Sequence, residues 1–205
     1  MNKKKIAITG GIGSGKSTVI KILKEKGFPV FSCDAIYKEL FTTQEYVNKV
    51  STIFPNVVVD GKIDKKLLSG LVFKDKYKLA LLNSIAHPSI MNRLFDCMAE
   101  CEGDVVFAEV PLLFEIDAEV FFEEIWVISR DKDDRIRAVQ NRDGASKPDV
   151  ESKIAAQIDY SSTIGQEKLK NKKVFIIENN STIDALKRKI EKKLSLNSSI
   201  VKLVL

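Results

Sequence analysis

The sequence predicts a three-layer α/β protein in which helices cover both faces of a five-stranded parallel sheet. Short apolar segments alternate with segments of helical spacing along much of the 205-residue chain. This alternation is typical of parallel strands joined by helical crossovers. A glycine-rich turn also follows the first apolar segment directly. The predicted strands are 4–9, 28–31, 105–110, 125–129 and 174–177.

The helices at the two ends of the chain have the clearest patterns. Apolar residues recur at helical spacing over 17–26, and Gly27 is suited to end that helix because glycine readily adopts the left-handed backbone conformation. The last predicted helix is amphipathic, since the basic residues of 187–193 surround its apolar positions. The apolar segment 200–205 is expected either to pack on the core or to fray.

Two long segments interrupt the alternation. The stretch 35–103 is far longer than a crossover needs and is mostly helical in pattern, with a turn at Asp60, so it predicts an inserted helical subdomain for the acceptor. The polar stretch 131–165 predicts two helices around Gly144 and is a candidate mobile lid. We therefore predict one domain over 1–205, with a core of 1–34, 104–130 and 166–205.

The composition excludes several classes of protein. The 44% hydrophobic content is too high for a disordered chain, and no apolar run approaches the ~18–20 residues that cross a bilayer. No signal-peptide pattern follows the N-terminal lysines, so a cytoplasmic protein without a membrane partner is expected. The net charge of +5 is mild, and aromatic residues do not interleave with the basic clusters, which argues against nucleic acid. We expect a monomer or a weak homo-oligomer.

The cysteines do not indicate a disulfide framework or a zinc site. Cys33, Cys97 and Cys101 are the three cysteines, and His87 is the only histidine. The spacing lacks the C-x-x-C pairs of common zinc sites, so reduced thiols are expected.

The glycine-rich turn is the most informative motif. Residues 10–18 read Gly-Gly-Ile-Gly-Ser-Gly-Lys-Ser-Thr, which matches G-x-x-x-x-G-K-[ST] between a strand and a helix. Loop amides and the helix N-terminus attract phosphate, Lys16 reaches the β- and γ-phosphates, and Ser17 is a ligand for Mg²⁺. The motif predicts a phosphate-loop NTPase fold with ATP and Mg²⁺. The expected ATP-binding residues are Gly11, Gly13, Ser14, Gly15, Lys16, Ser17 and Thr18.

Other nucleotide-binding classes fit less well. A dinucleotide-binding G-x-G-x-x-G would need glycine where the chain has Lys16 or Thr18. The guanine motif N-K-x-D is absent, and the chain is short for a motor ATPase. A small-molecule kinase needs an acceptor pocket and a lid that excludes water, and the two inserted segments are candidates for both.

Asp34 follows the second predicted strand, at the sheet edge where ligands gather in open α/β sheets. It could accept the proton of an attacking hydroxyl during phosphoryl transfer. It could equally serve as the N-cap of a helix that begins near Ala35. Position alone does not separate these roles.

Several further motifs occur together, and the chain resembles the dephospho-coenzyme A kinase family through them. They occur in the family's order and cover nearly the whole chain. They are Thr9 to Thr18, Gly27-Phe28-Pro29-Val30, Asp34, Asp60-Gly61, Ala86-His87-Pro88, Val110-Pro111-Leu112-Leu113-Phe114-Glu115, Arg142-Asp143-Gly144, Ile154-Ala155-Ala156-Gln157 and Glu178-Asn179-Asn180.

The resemblance implies transfer of phosphate from ATP to the ribose 3′-hydroxyl of dephospho-coenzyme A, which gives coenzyme A and ADP. It implies Asp34 as the base, with Lys16 and Arg142 as the other catalytic residues and Asn179 at the ATP. The implied substrate contacts are Asp34, His87, Pro111, Leu112 and Leu113.

Several of these residues also have structural interpretations. His87 precedes Pro88 and could hydrogen-bond at a helix start, and the Pro-Leu-Leu-Phe run could be ordinary core. Glu115 is interpreted as a structural anchor, and Arg142 could be a solvated surface charge.

The sequence departs from the family pattern at a few positions. The family usually has Asp-Ala-Asp where this chain has Ser32-Cys33-Asp34, and it often has arginine where this chain has Ala138, with Arg137 one step away. Another nucleoside or nucleotide kinase, and a nucleotide-dependent regulatory protein, remain the alternatives.

Overall fold

A five-stranded sheet organises the larger of two units into which the chain divides. The computed structural model describes residues 3–160, 162–170 and 173–196. The first unit comprises the chain up to Val30 and from Cys101 onward, and the second comprises Phe31–Glu100. The second unit begins and ends slightly earlier than the insertion predicted at 35–103. The predicted alternatives for 200–205 lie outside the described residues.

The strands are β1 (Lys4–Thr9), β2 (Val30–Ser32), β3 (Val58–Val59), β4 (Lys62–Ile63), β5 (Val105–Glu109), β6 (Glu124–Ser129) and β7 (Val174–Glu178). The helices are α1 (Lys16–Glu25), α2 (Cys33–Leu40), α3 (Gln44–Ile53), α4 (Lys65–Val72), α5 (Lys76–Glu100), α6 (Lys132–Asp143), α7 (Lys147–Ala155), α8 (Thr163–Leu169) and α9 (Ile183–Ser195).

The sheet has the strand order β2-β5-β1-β6-β7, so β1 lies in the middle. Strand β1 pairs in parallel with β5 and β6, and β6 pairs in parallel with β7. The predicted five-stranded parallel sheet is therefore confirmed. The second strand begins at Val30 rather than at residue 28, and the carbonyl of Pro29 accepts a hydrogen bond from Phe107 N at 3.0 Å.

The core of the first unit contains apolar side chains from the sheet and from both terminal helices. Ile8, Phe107 and Trp126 are fully buried on the strands, and Leu23 of α1 and Ile190 of α9 are fully buried against the same cluster. The amphipathic pattern predicted for the last helix is thus confirmed. Because α1 packs on this core, its N-terminus and the preceding loop are fixed at the carboxyl end of β1.

One carboxylate is buried beside this core and is fully paired. Glu124 at the start of β6 is 4% exposed. Its carboxylate accepts from Trp126 Nε1 at 2.7 Å and lies 2.8 Å from Lys4 Nζ and 3.0 Å from Lys193 Nζ. A buried charge without partners would strongly destabilise the fold, so these three donors are needed together.

The second unit is a helical assembly built around α5. This 25-residue helix packs against α2, α3 and α4, and its buried side chains include Leu82, Leu94 and Met98. The turn predicted at Asp60 connects β3 and β4, which form a short antiparallel hairpin. Asp60 and Gly61 have φ values of 49° and 73° there.

The segment predicted as a lid contains more structure than the sequence indicated. Helices α6 and α7 flank Gly144 as predicted, but a third helix, α8, begins at its end. Ile136, Val139 and Val150 are buried in a small cluster of their own. The polar composition of the segment concealed this cluster, because so few residues form it.

No helix within the described residues is both long and apolar enough to cross a membrane.

The interpretation of His87 as a residue at a helix start is wrong. Helix α5 continues through Pro88, whose side chain is exposed, so the proline removes one hydrogen bond without ending the helix. His87 therefore lies in the middle of α5. It is half-buried, and burial lowers the pKa of its imidazole.

This burial predicts a pH dependence of stability. Because the pKa of His87 is lower in the folded chain, the unfolded chain binds the proton more readily, and stability is lost as the pH falls below about 6.5. His87→Gln stays neutral and should lose less stability over the same range. Urea unfolding of both proteins at several pH values measures the difference. Parallel pH profiles would contradict the prediction.

Candidate functional site

The phosphate loop connects β1 to α1 and has the backbone conformation that its glycines permit. Gly13 has φ 76° and Gly15 has φ 96°, both in the region that residues with side chains rarely adopt. Gly15 is the N-cap of α1 and has no side chain to cap it. The N-terminus of α1 can therefore bind an anion, as the motif predicted.

Lys16 and Ser17 present different groups in the first turn of α1. Lys16 Nζ donates to the carbonyls of Gly10 and Gly11 at 2.7 and 3.2 Å, so its charge lies across the loop. The side chain of Ser17 is exposed, and the amide of Thr18 donates to Gly15 O at 3.0 Å. These positions agree with a lysine that meets phosphate and a hydroxyl that is open to a metal ion.

Two amide side chains hold the loop from outside. Asn179 Nδ2 donates to Ser14 O at 2.9 Å, and Asn179 N donates to Ser129 O at 2.8 Å. Gln157 Oε1 accepts from Ile12 N at 2.7 Å. Asn179, predicted at the ATP, thus contacts the loop backbone. Ser14, also predicted at the ATP, is 1% exposed, so its side chain is buried in this arrangement.

Arg135 lies beside the loop, and the sequence did not single it out. Its Nε donates to Ile12 O at 2.9 Å. A Cβ atom at Gly11 would lie 2.1 Å from its Nη2, so the guanidinium covers that glycine. Burial lowers the pKa of Arg135, while Tyr160 and Asp159 act in the opposite direction. The order of elements in the sequence could have indicated this position, because α6 follows β6 directly and its first turns lie near the carboxyl edge of the sheet.

Arg142, the arginine that the resemblance implicates, lies two turns further along α6. It is exposed and binds its neighbour Asp143 through two hydrogen bonds, 2.7 Å from Nε and 2.8 Å from Nη2. Arg137 is also exposed and pairs with Asp134.

The run after β5 divides into buried and exposed positions. Leu113 is fully buried, so its side chain belongs to the interior and cannot contact a substrate in this arrangement. Leu112 is 41% exposed and can, and Pro111 is half-buried, with its carbonyl 3.4 Å from Thr9 Oγ1. Glu115 accepts from Ile158 N at 3.0 Å, as expected of an anchor.

Tyr160 is a second residue without a sequence signal. Its ring is half-buried beside Phe114, with the centroids 6.1 Å apart. Desolvation by burial, aided by Glu115, raises the pKa of Tyr160 to about 12. Its phenol is therefore protonated at neutral pH and can donate a hydrogen bond.

The oxygen donors near the loop suit Mg²⁺. Glu109 ends β5 in register with Ile8, next to the strand that leads into the loop. Together with the exposed hydroxyl of Ser17 it offers the hard ligands that Mg²⁺ prefers. No cluster of three or more acidic, histidine or cysteine ligands occurs within the described residues.

Asp34 and His87 belong to the second unit. Helix α2 begins at Cys33 with Ser32 as its N-cap, and no side chain caps it. The interpretation of Asp34 as the cap is therefore wrong: the strand passes into the helix without a connecting loop, which moves the cap position back to Ser32. Asp34 lies in the first turn with its side chain exposed.

Comparisons with known proteins agree with these features. The family model described as dephospho-CoA kinase matches residues 4–185. A dephospho-CoA kinase of Fusobacterium nucleatum is 35% identical over 189 residues, which cover 91% of this chain and 95% of that protein. One from Thermus thermophilus is 32% identical over 186 residues, which cover 91% and 88%.

Solved structures show the same architecture. A Thermus thermophilus crystal structure superposes with a TM-score of 0.81 at 31% identity, covering 97% of this chain and all of the other. The dephospho-CoA kinase from Campylobacter jejuni superposes with a TM-score of 0.67 at 28% identity, covering 94% and 96%. The loop, its supporting side chains and these matches lead to one conclusion: the chain belongs to the dephospho-CoA kinase family.

Proposed function

We propose that this chain transfers the terminal phosphoryl group of ATP to the 3′-hydroxyl of dephospho-coenzyme A, with the phosphate loop as donor site and Asp34 as base. The reaction is that of its family, ATP-dependent phosphorylation of dephospho-coenzyme A. The observation that carries the residue assignment is the complete loop, with Lys16 Nζ 2.7 Å from Gly10 O.

The donor side binds the triphosphate through backbone and charge. The amides at the start of α1 and the loop from Gly11 to Gly15 hold phosphate oxygens, and Lys16 moves from the carbonyls of Gly10 and Gly11 to the phosphates. Asn179 and Gln157 keep the loop in shape from outside. Because this site is preorganised, little free energy is lost in ordering it when the nucleotide binds.

Ser17 and Glu109 are the residues that would hold Mg²⁺. When bound, the ion neutralises charge on the phosphates and orients them. Ser32 stands where the family usually has an acid, so this chain offers no carboxylate at that position.

On the acceptor side, the oxygen of the 3′-hydroxyl bonds to the phosphorus while the proton of that hydroxyl passes to the Asp34 carboxylate. The bond between that phosphorus and the β-phosphate oxygen breaks, and ADP leaves. The exposed position of Asp34 leaves its carboxylate accessible. Leu112 offers apolar surface to the acceptor, and its neighbours Pro111 and Leu113 position its side chain. His87 is a candidate substrate contact on α5.

The segment 131–165 acts as the lid that excludes water. Water would compete with the acceptor hydroxyl as a nucleophile. Arg142 at the end of α6 neutralises charge on the transferring group once its pair with Asp143 opens. Turnover tests the whole proposal: ADP release should require dephospho-coenzyme A. Equal release without an acceptor would favour a regulatory nucleotide-binding protein, and release with other nucleosides alone would favour a different kinase.

Removing the charge of Lys16 should remove a contact that strengthens as charge moves in the transition state. Lys16→Ala should therefore lower acceptor-dependent turnover by on the order of 10²-fold or more. Lys21→Ala is the matched control, because Lys21 is an exposed lysine of the same helix whose partner is Glu25 at 3.9 Å. Near-normal turnover in folded Lys16→Ala would refute the role.

Asp34→Asn should separate catalysis from stability. The amide cannot accept the hydroxyl proton, so turnover should fall by ~10²–10⁴-fold, while loss of a first-turn acid should cost at most about 1 kcal/mol. Asp64→Asn is the control, since Asp64 caps α4 through Lys66 N and Leu67 N and asparagine caps comparably well. A thermal melt, ATP binding and ADP release measure these effects. Normal turnover in Asp34→Asn would place the base elsewhere.

The lid should exchange amide hydrogens faster than the sheet when no ligand is bound. Helices α6 and α7 share a cluster whose buried members are Ile136, Val139 and Val150, much smaller than the core that holds β1. Adding a nonhydrolysable ATP analogue together with dephospho-coenzyme A should slow exchange in both helices. Equal and ligand-independent protection of lid and sheet would show that this segment does not close.

A further inference from the structure

We propose that Arg135 binds the terminal phosphate of the donor nucleotide and stabilises the charge on the transferring group. This inference rests on the proposed function and adds to it a contact that the sequence did not indicate. Arg135 is the arginine of α6 that lies on the phosphate loop, whereas Arg137 and Arg142 are exposed and paired with neighbouring aspartates.

The first argument is the convergence of two cations on one short stretch of backbone. Lys16 Nζ donates to Gly10 O and Gly11 O, while Arg135 Nε donates to Ile12 O, and its Nη2 covers Gly11. Both side chains thus bring a positive charge to the backbone of residues 10–12. The place where they converge is the loop whose amides bind phosphate.

The second argument is the hydrogen-bonding capacity that Arg135 retains. Its hydrogen bond to Ile12 uses Nε, which leaves the two terminal nitrogens of the guanidinium. Within the described part of the chain it forms no ion pair, and Asp159 and Tyr160 affect it only as nearby acidic groups. A guanidinium with paired donors matches the oxygens of a phosphate group, to which it can donate two parallel hydrogen bonds.

The third argument is the rigidity of the position. Arg135 O would lie 2.5 Å from a Cβ atom at Gly13, so the helix backbone itself presses on the loop at this residue. Val139, one turn along, is buried in the cluster against which Ile12 packs. The side chain thus starts from a fixed backbone point beside the loop, and only its end needs to move to reach a phosphate. A positioned charge of this kind needs little reorganisation during the reaction.

A purely structural role would be to hold the carbonyl of Ile12, as Gln157 holds its amide. Nucleotide binding separates the two roles without any acceptor. For Arg135→Gln, we expect affinity for a β,γ-imido ATP analogue with Mg²⁺ to fall by roughly 10- to 100-fold. Affinity for ADP should stay within about twofold, because ADP lacks the terminal phosphate. Turnover should fall by on the order of 10²-fold or more.

Two controls and a second variant complete the test. Gln157→Ala removes the hydrogen bond to Ile12 N and should weaken the binding of ADP and of the analogue together. Arg137→Gln removes an exposed charge of α6 and should change neither affinity. If Arg135→Gln fails to fold, Arg135→Lys is measured instead, since lysine keeps the charge but lacks the paired N–H donors of the guanidinium. Parallel losses for ADP and the analogue, or no loss for either, would overturn the proposal.

The role of Arg135 can be decided even if the proposed function itself is wrong. Failure of that function would appear as wild-type protein that releases no ADP in the presence of dephospho-coenzyme A. The role of Arg135 is decided by the ratio of two nucleotide affinities, which does not depend on the identity of the acceptor.

Discussion

The nucleotide site depends on neighbouring groups that approach the loop glycines so closely that a side chain there would displace them. A Cβ atom at Gly13 would lie 2.5 Å from Arg135 O, and one at Gly15 would lie 2.1 Å from Asn179 Nδ2. Helix α6 therefore shapes one part of the loop, and the segment after β7 shapes another. The phosphate-binding conformation is a property of the packed unit as much as of the motif, because residues far apart in the chain hold it in place.

Because α6 contacts the loop directly, the conformation of the loop is linked to that of the segment 131–165. The contacts of Arg135 and Gln157 with Ile12 join two parts of this segment to the loop. A ligand that favours one loop conformation therefore favours the arrangement of the segment that is compatible with it. The coupling is reciprocal, so a ligand that binds the segment and favours one of its arrangements changes nucleotide affinity by the same factor.

The sequence predicted features with local causes and missed those that depend on packing. Apolar runs located the parallel strands, and the loop motif located the phosphate site. His87 was misplaced because proline usually ends helices, whereas the packing of α5 against three other helices outweighs the lost hydrogen bond. Arg135 and Tyr160 were missed because their burial arises from α6 and from the segment after α7 folding back on the loop. No local pattern encodes that contact.

The buried carboxylate of Glu124 also constrains how the protein is made. Its partners Lys4, Trp126 and Lys193 come from the beginning, the middle and the end of the described chain. Strand β1 leaves the ribosome early, but the site beside it is complete only when α9 has emerged. Until then, the Glu124 carboxylate lacks the cation of Lys193, which disfavours its burial. The sheet therefore reaches the packing described here only after α9 has been synthesised.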